Sequence, residues 1–87
     1  MVNDGDYVAI FNSVHKVMKA EKLLKNAQIP MLLIPAPRAL SSDCGLAIRY
    51  SAADRSRTEQ LLDNVSLLPE EIYHKEMDCF VRVNRMG

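Results

Sequence analysis

Residues 35–45 constrain this chain more than any other stretch. They read Pro-Ala-Pro-Arg-Ala-Leu-Ser-Ser-Asp-Cys-Gly and separate an apolar run at 31–34 from an alternating run at 46–50, Leu-Ala-Ile-Arg-Tyr. Pro35 and Pro37 fix φ and stiffen the exit from the first run, while Gly45 admits backbone conformations that a Cβ would block. Two strand-like segments joined by so short a connection are expected to be hairpin neighbours, running antiparallel.

The remaining elements follow from periodicity. Residues 7–12 are apolar on both alternating faces (Tyr7, Ala9 and Phe11 against Val8 and Ile10), which suits a strand covered on both sides. Ser13 stands where it can cap a helix whose apolar positions Val14, Val17, Ala20, Leu24 and Ala27 form one stripe, with Lys16, Lys19, Lys22 and Asn26 opposite. The Ile29-Pro30 step ends that helix, because the residue before a proline is pushed out of the α region. Residues 31–34 then form a second strand and 46–50 a third. Ser51-Ala-Ala-Asp54 has capping-box form and opens a second helix to about Asn64, anchored by Leu61, Leu62 and Val65. Residues 70–75 and 79–83 both alternate, with Met77-Asp78 as a turn between them. One of them supplies a fourth strand, and the other is free to add an edge strand.

The order strand, helix, strand, strand, helix, strand predicts an α+β, ferredoxin-like βαββαβ sandwich. Its four-stranded antiparallel sheet carries both helices on one face, with room for an extra C-terminal edge strand. In that topology strand three lies between strands one and two. Its beginning, at Cys44, then shares an end of the sheet with the start of the first helix. Two helices cover only one face, so the C-terminal segment or a second copy of the chain is expected to cover the other; a homodimer follows from the latter.

Composition narrows the function. The chain has 87 residues and is read as one small domain, 1–87, too small for a large cleft enzyme. Its formal net charge of +0 and few aromatic residues argue against a nucleic-acid partner. No apolar stretch approaches the ~18 residues of a membrane span, and the start lacks the basic-then-apolar order of a signal peptide, so the expected location is the cytoplasm. Cys44 and Cys79 form no Cys-x-x-Cys pair, and with His15 and His74 they show no ligand-type spacing. Neither a metal site nor a bound organic cofactor is expected.

What remains is a presented thiol. An ordinary cysteine has a pKa of ~8.5, and a helix N-terminus or a neighbouring cation lowers it. Arg38 and His15 are candidate cations, Asp43 opposes them, and Ser41, Ser42, Ser13 and the backbone around Gly45 are candidate donors to sulfur or an anion. Arg49 is a further candidate for holding an anion. Cys79 is read as a strand residue that packs, beginning its strand at the same sheet end as Cys44.

The run at 37–49, Pro-Arg-Ala-Leu-Ser-Ser-Asp-Cys-Gly-Leu-Ala-Ile-Arg, preceded at 13–24 by Ser-Val-His-Lys-Val-Met-Lys-Ala-Glu-Lys-Leu-Leu, resembles the small bacterial selenium/sulfur carrier-like proteins. The resemblance covers roughly the first two thirds of the chain, so residues 79–87 are where it departs. It implies that Cys44 holds a sulfane sulfur or selenium and passes it on, a carrier rather than a true enzyme. The implied partners are a donor protein such as a cysteine desulfurase and an acceptor of the selenophosphate-synthesis type. The competing reading is a non-catalytic ferredoxin-like binding or regulatory module that acts through its sheet face or the cysteine loop.

Overall fold

The computed structural model describes residues 4–37, 40, 45–77 and 79–83. Its elements are β1 (Tyr7–Ile10), α1 (Val14–Asn26), β2 (Leu32–Pro35), β3 (Leu46–Tyr50), a 3-10 turn (Ala52–Asp54), α2 (Arg55–Asn64), β4 (Glu71–Glu76) and β5 (Cys79–Val83). The result is a mixed α+β architecture. Its five strands stand in the order β2-β3-β1-β4-β5, and every neighbouring pair is antiparallel. No helix among the described residues is long and apolar enough to cross a membrane.

β1 is central because both its faces are apolar: Ala9 is flanked by Ile48 and Ile72, and Val8 by Arg49 and Tyr73. Both helices lie against one face. There Ala9, Ile48, Tyr50 and Ile72 pack with Val17, Ala20 and Leu24 of α1 and Leu62 of α2, all buried. The two helices end alike. After α1, Gln28 takes a left-handed φ of 59°, with Ile29 N–H bonding Leu24 O at 3.0 Å and Gln28 N–H bonding Lys25 O at 3.0 Å. After α2, Ser66 (φ 58°) repeats the pattern, with Leu67 N–H on Leu62 O and Ser66 N–H on Asp63 O. These are Schellman closures built without glycine, so the helix stops before Pro30 has any part in it.

The opposite face holds Val8, Ile10, Ile34 and Ala47, all buried. Leu40, from the connection between β2 and β3, packs into this second cluster and is only 7% exposed. The cover expected from the tail or from a second copy is thus begun by the cysteine loop itself. β5 instead pairs with β4 and extends the sheet sideways, contributing only Phe80 to the edge of that cluster.

Several sequence expectations shift. Strand one stops at Ile10, with Phe11 still buried beyond it; strand two is an outer strand running one residue later, through Pro35, and leaves Leu32 exposed. A proline at the end of an outer strand forfeits no interior ladder bond. Val14 and Ala27, assigned to the core stripe, are both exposed: Val14 lies off the arc set by Val17, Ala20 and Leu24, and Ala27 is the cap residue past the last full turn. Val65, assigned as an anchor of the second helix, is its cap residue and is exposed; buried Thr58 and Glu59 occupy the inward side with Leu62. Cys79 is exposed rather than packed. It opens β5 beside Glu76, at the end where Tyr7 meets His74, whereas Gly45 precedes β3 at the end where Ile10 meets Ala47. Cys79 and Gly45 therefore stand at opposite ends of the sheet, which corrects the expectation of a shared end.

Candidate functional site

Cys44, Arg38, Ser41 and Ser42 lie outside the described residues, as does Asp43. What the structure gives is the frame that holds them. β2 and β3 pair from Leu32 with Arg49 to Pro35 with Leu46, and Ala36 N–H then donates to Gly45 O at 2.9 Å. That bond closes the mouth of the loop one step beyond the hairpin. Inside the mouth, Leu40 N–H donates to Pro37 O at 2.9 Å, the i to i+3 bond of a β-turn. The Leu40 side chain meanwhile sits among Val8, Ile10, Ile34 and Ala47.

Gly45 is exposed at φ 73°, and nothing would contact a Cβ built there. The left-handed backbone, not crowding, is what calls for glycine at this position. Covalent geometry keeps Cys44 one Cα step, ~3.8 Å, from this residue. Gly45 and Ser13 share the sheet end marked by Ile10 and Ala47, as the topology predicted. Ser13 occupies the N-cap with extended backbone (φ −153°, ψ 134°), and its carbonyl accepts from Val17 N–H at 3.1 Å. Its hydroxyl makes no capping hydrogen bond. His15 is exposed in the first turn of α1, where no acidic residue is present. Leu40 packs on the face of the sheet away from α1.

Arg49, a candidate for holding an anion, is already engaged by a carboxylate. Its Nη1 donates to Asp6 Oδ2 at 3.0 Å, and both side chains are largely buried. No group of three or more His, Cys, Asp or Glu suited to a metal ion occurs among the described residues.

A polar cluster that the periodicity gave no sign of lies at the far end of the sheet. Arg55 Nε donates to Glu59 Oε2 at 2.7 Å, Tyr50 donates its hydroxyl proton to the same oxygen at 3.2 Å, and Arg55 Nη1 donates to the Tyr7 hydroxyl at 3.2 Å. The guanidinium also lies 4.5 Å from the Tyr7 ring centroid. Tyr7 stacks on its cross-strand partner Tyr50 at 5.9 Å and lies tilted against His74 at 4.6 Å. Burial first, then the adjacent Glu59 carboxylate, pushes the Tyr50 phenol far above its ordinary range. These groups satisfy one another across the joint between α2 and the sheet. The Arg55 and Glu59 spacing of four residues was the one sequence signal for it.

The fold and loop together define a class: small α+β proteins that carry a cysteine in a fastened hairpin loop. A family described as "Putative Se/S carrier protein-like" matches residues 6–74, and the chain belongs to that family. The match stops inside β4, so β5 lies beyond it. No curated protein and no solved structure matches the chain.

Proposed function

We propose that this protein is a sulfur or selenium carrier working through Cys44. The Cys44 thiolate attacks the outer sulfur of a donor persulfide; a new S–S bond forms at Cys44, the donor S–S bond breaks, and the donor cysteine leaves as its thiolate. Transfer to an acceptor repeats the exchange in the other direction, with no net oxidation. Selenium follows the same course with an S–Se bond. The observation that carries the reading, beside family membership, is the fastened loop, held by the bond from Ala36 N–H to Gly45 O and by buried Leu40. A carrier needs a thiol that is held yet reachable, and the bonds at the loop's neck support that reading.

In this reading Arg38, Ser41, Ser42 and the Gly45 backbone surround the transferred atom, while His15 and the α1 start opened by Ser13 favour the thiolate. The donor is a protein of the cysteine desulfurase kind and the acceptor one of selenophosphate-synthesis type. The fold is the ferredoxin-like βαββαβ sandwich of a single cytoplasmic domain, 1–87, with β5 as its added edge strand. The strand order β2-β3-β1-β4 and the placement of both helices on one face support that assignment.

Intact-mass analysis after incubation with a cysteine desulfurase and cysteine, or with a selenium donor, tests the proposal. Wild type gains one sulfur or selenium in a form that reductant removes, and Cys44→Ser gains none. An unmodified wild type under conditions that load another carrier overturns it. A Cys44 alkylation profile with an ordinary thiol pKa would favour the non-catalytic binding module instead. Light scattering at high micromolar concentration tests the homodimer separately, and a strict monomer removes it.

A further inference from the structure

Charge pairing divides this molecule in two. Among the described residues, every arginine and lysine outside α1 has an acidic partner: Arg49 with Asp6, Arg55 with Glu59, Arg57 with Asp54, Lys75 with Asp4 and Arg82 with Glu71. On α1, Lys25 pairs with Glu21, whereas Lys16, Lys19 and Lys22 form no ion pair. The formal net charge is +0, so the positive surface of this helix is a matter of arrangement and not of composition. Lys16 also lies in a first turn without any acidic residue, where the helix dipole disfavours a cation. An arrangement that local stability does not explain points to a partner.

Apolar surface accompanies these lysines. Val65, just past α2, is 46% exposed. A groove of about 260 Å³ lies between α1 and the segment that follows α2, lined by Lys19, Leu23, Val65 and Leu67. That volume is below the ~300 Å³ at which small-molecule pockets usually begin, and it suits an apolar side chain. The groove offers no aromatic platform for a nucleic-acid base.

We infer that this groove docks an acidic-apolar segment of a partner protein, with one apolar side chain between Leu23, Val65 and Leu67 and flanking carboxylates on Lys16, Lys19 and Lys22. The lysines steer the approach and set its orientation, and the apolar floor holds the segment once seated. The inference does not depend on the chemistry of Cys44, and Cys44→Ser protein should bind as wild type does.

The test is a titration of isotope-labelled protein with a blocked Glu-Glu-Leu-Leu-Glu-Glu peptide, followed by backbone amide shifts. Shifts are expected at Lys19, Leu23, Val65 and Leu67, with binding weakened about tenfold or more by Lys16→Glu with Lys19→Glu and by the same peptide with glutamine in place of glutamate. Both lysines are exposed and the first-turn glutamate suits the helix dipole, so thermal unfolding of the variant should come no lower than wild type. Four results would overturn the inference: no shifts at millimolar peptide, shifts elsewhere, equal binding of the glutamine peptide, or equal binding by the variant. Two further results would also overturn it in favour of another occupant. One is the same shifts with phosphatidylserine vesicles or a duplex oligonucleotide but not with peptide; the other is their appearance on raising protein concentration alone, which would mean a second copy.

Discussion

The two faces of the sheet are closed by different means. On one, α1 and α2 bring Val17, Ala20, Leu24 and Leu62 down onto Ala9, Ile48, Tyr50 and Ile72, and the joint is tied by the Arg55, Glu59 and Tyr50 hydrogen bonds. On the other, the described cover over Val8, Ile10, Ile34 and Ala47 centres on Leu40, in a connection whose neighbours are polar or small. The first face has whole helices to resist opening. Among the described residues the second is covered by Leu40, with Ala36 and Phe80 beside it, and Leu40 belongs to the same connection as Cys44. Local opening free energies follow buried apolar contact, so the loop face should open first.

The comparison breaks or holds on a series of measurements. Leu24→Ala, in the helix face, should cost about 3 kcal/mol and shift the urea midpoint without changing the slope of unfolding. Leu40→Ala should cost less, about 2 kcal/mol, because the loop can settle toward the space left behind. It should also raise the alkylation rate of Cys44 and the hydrogen exchange of the Leu40 and Ala36 amides, while α1 amides stay protected. If Leu40→Ala instead lowers protection uniformly, the two faces form one cooperative unit and the contrast fails. Gly45→Ala places a Cβ at φ 73° and should cost about 1 kcal/mol, again with the change confined to the loop mouth.

The smallest effect at neutral pH concerns two tyrosines, one on each face. Burial raises the phenol pKa of Tyr50 on the helix face far above its ordinary 10.0, with Glu59 adding to the effect, and raises Tyr73 on the loop face above the same value, helped by its hydrogen bond to Glu71. Both folded-state values exceed the unfolded one. Their contribution to stability is therefore complete below pH ~10 and declines as pH climbs through the folded-state values. In a Tyr7→Phe background, which leaves these two tyrosines, an ultraviolet titration should show Tyr73 ionising in the folded chain and Tyr50 ionising only together with unfolding. Two folded-state ionisations would mean that the helix face is looser than its packing implies.

Part of this was legible in the residues alone. The alternation at residues 7–12, the stripe Val17, Ala20 and Leu24, and the short proline-stiffened connection fixed the order of elements and made β2 and β3 neighbours, since period and chain length are local quantities. The loop residues 37–45 also announced the family, because their identity does not depend on how the chain packs. The helix stops were less legible: Gln28 and Ser66 both adopt positive φ without being glycine, an outcome set by the hydrogen bonds that close each helix.

The sequence by itself determined which segments are strands and helices and which cysteine stands beside a glycine at a hairpin mouth. Only the tertiary structure decided that Leu40 faces inward, that Val14 and Val65 face outward, that Arg49 is taken by Asp6, and that Cys79 opens at the far end of the sheet. Periodicity tells a side chain which way to point from its own element. What it meets there depends on segments tens of residues away, and that is settled when the sheet assembles.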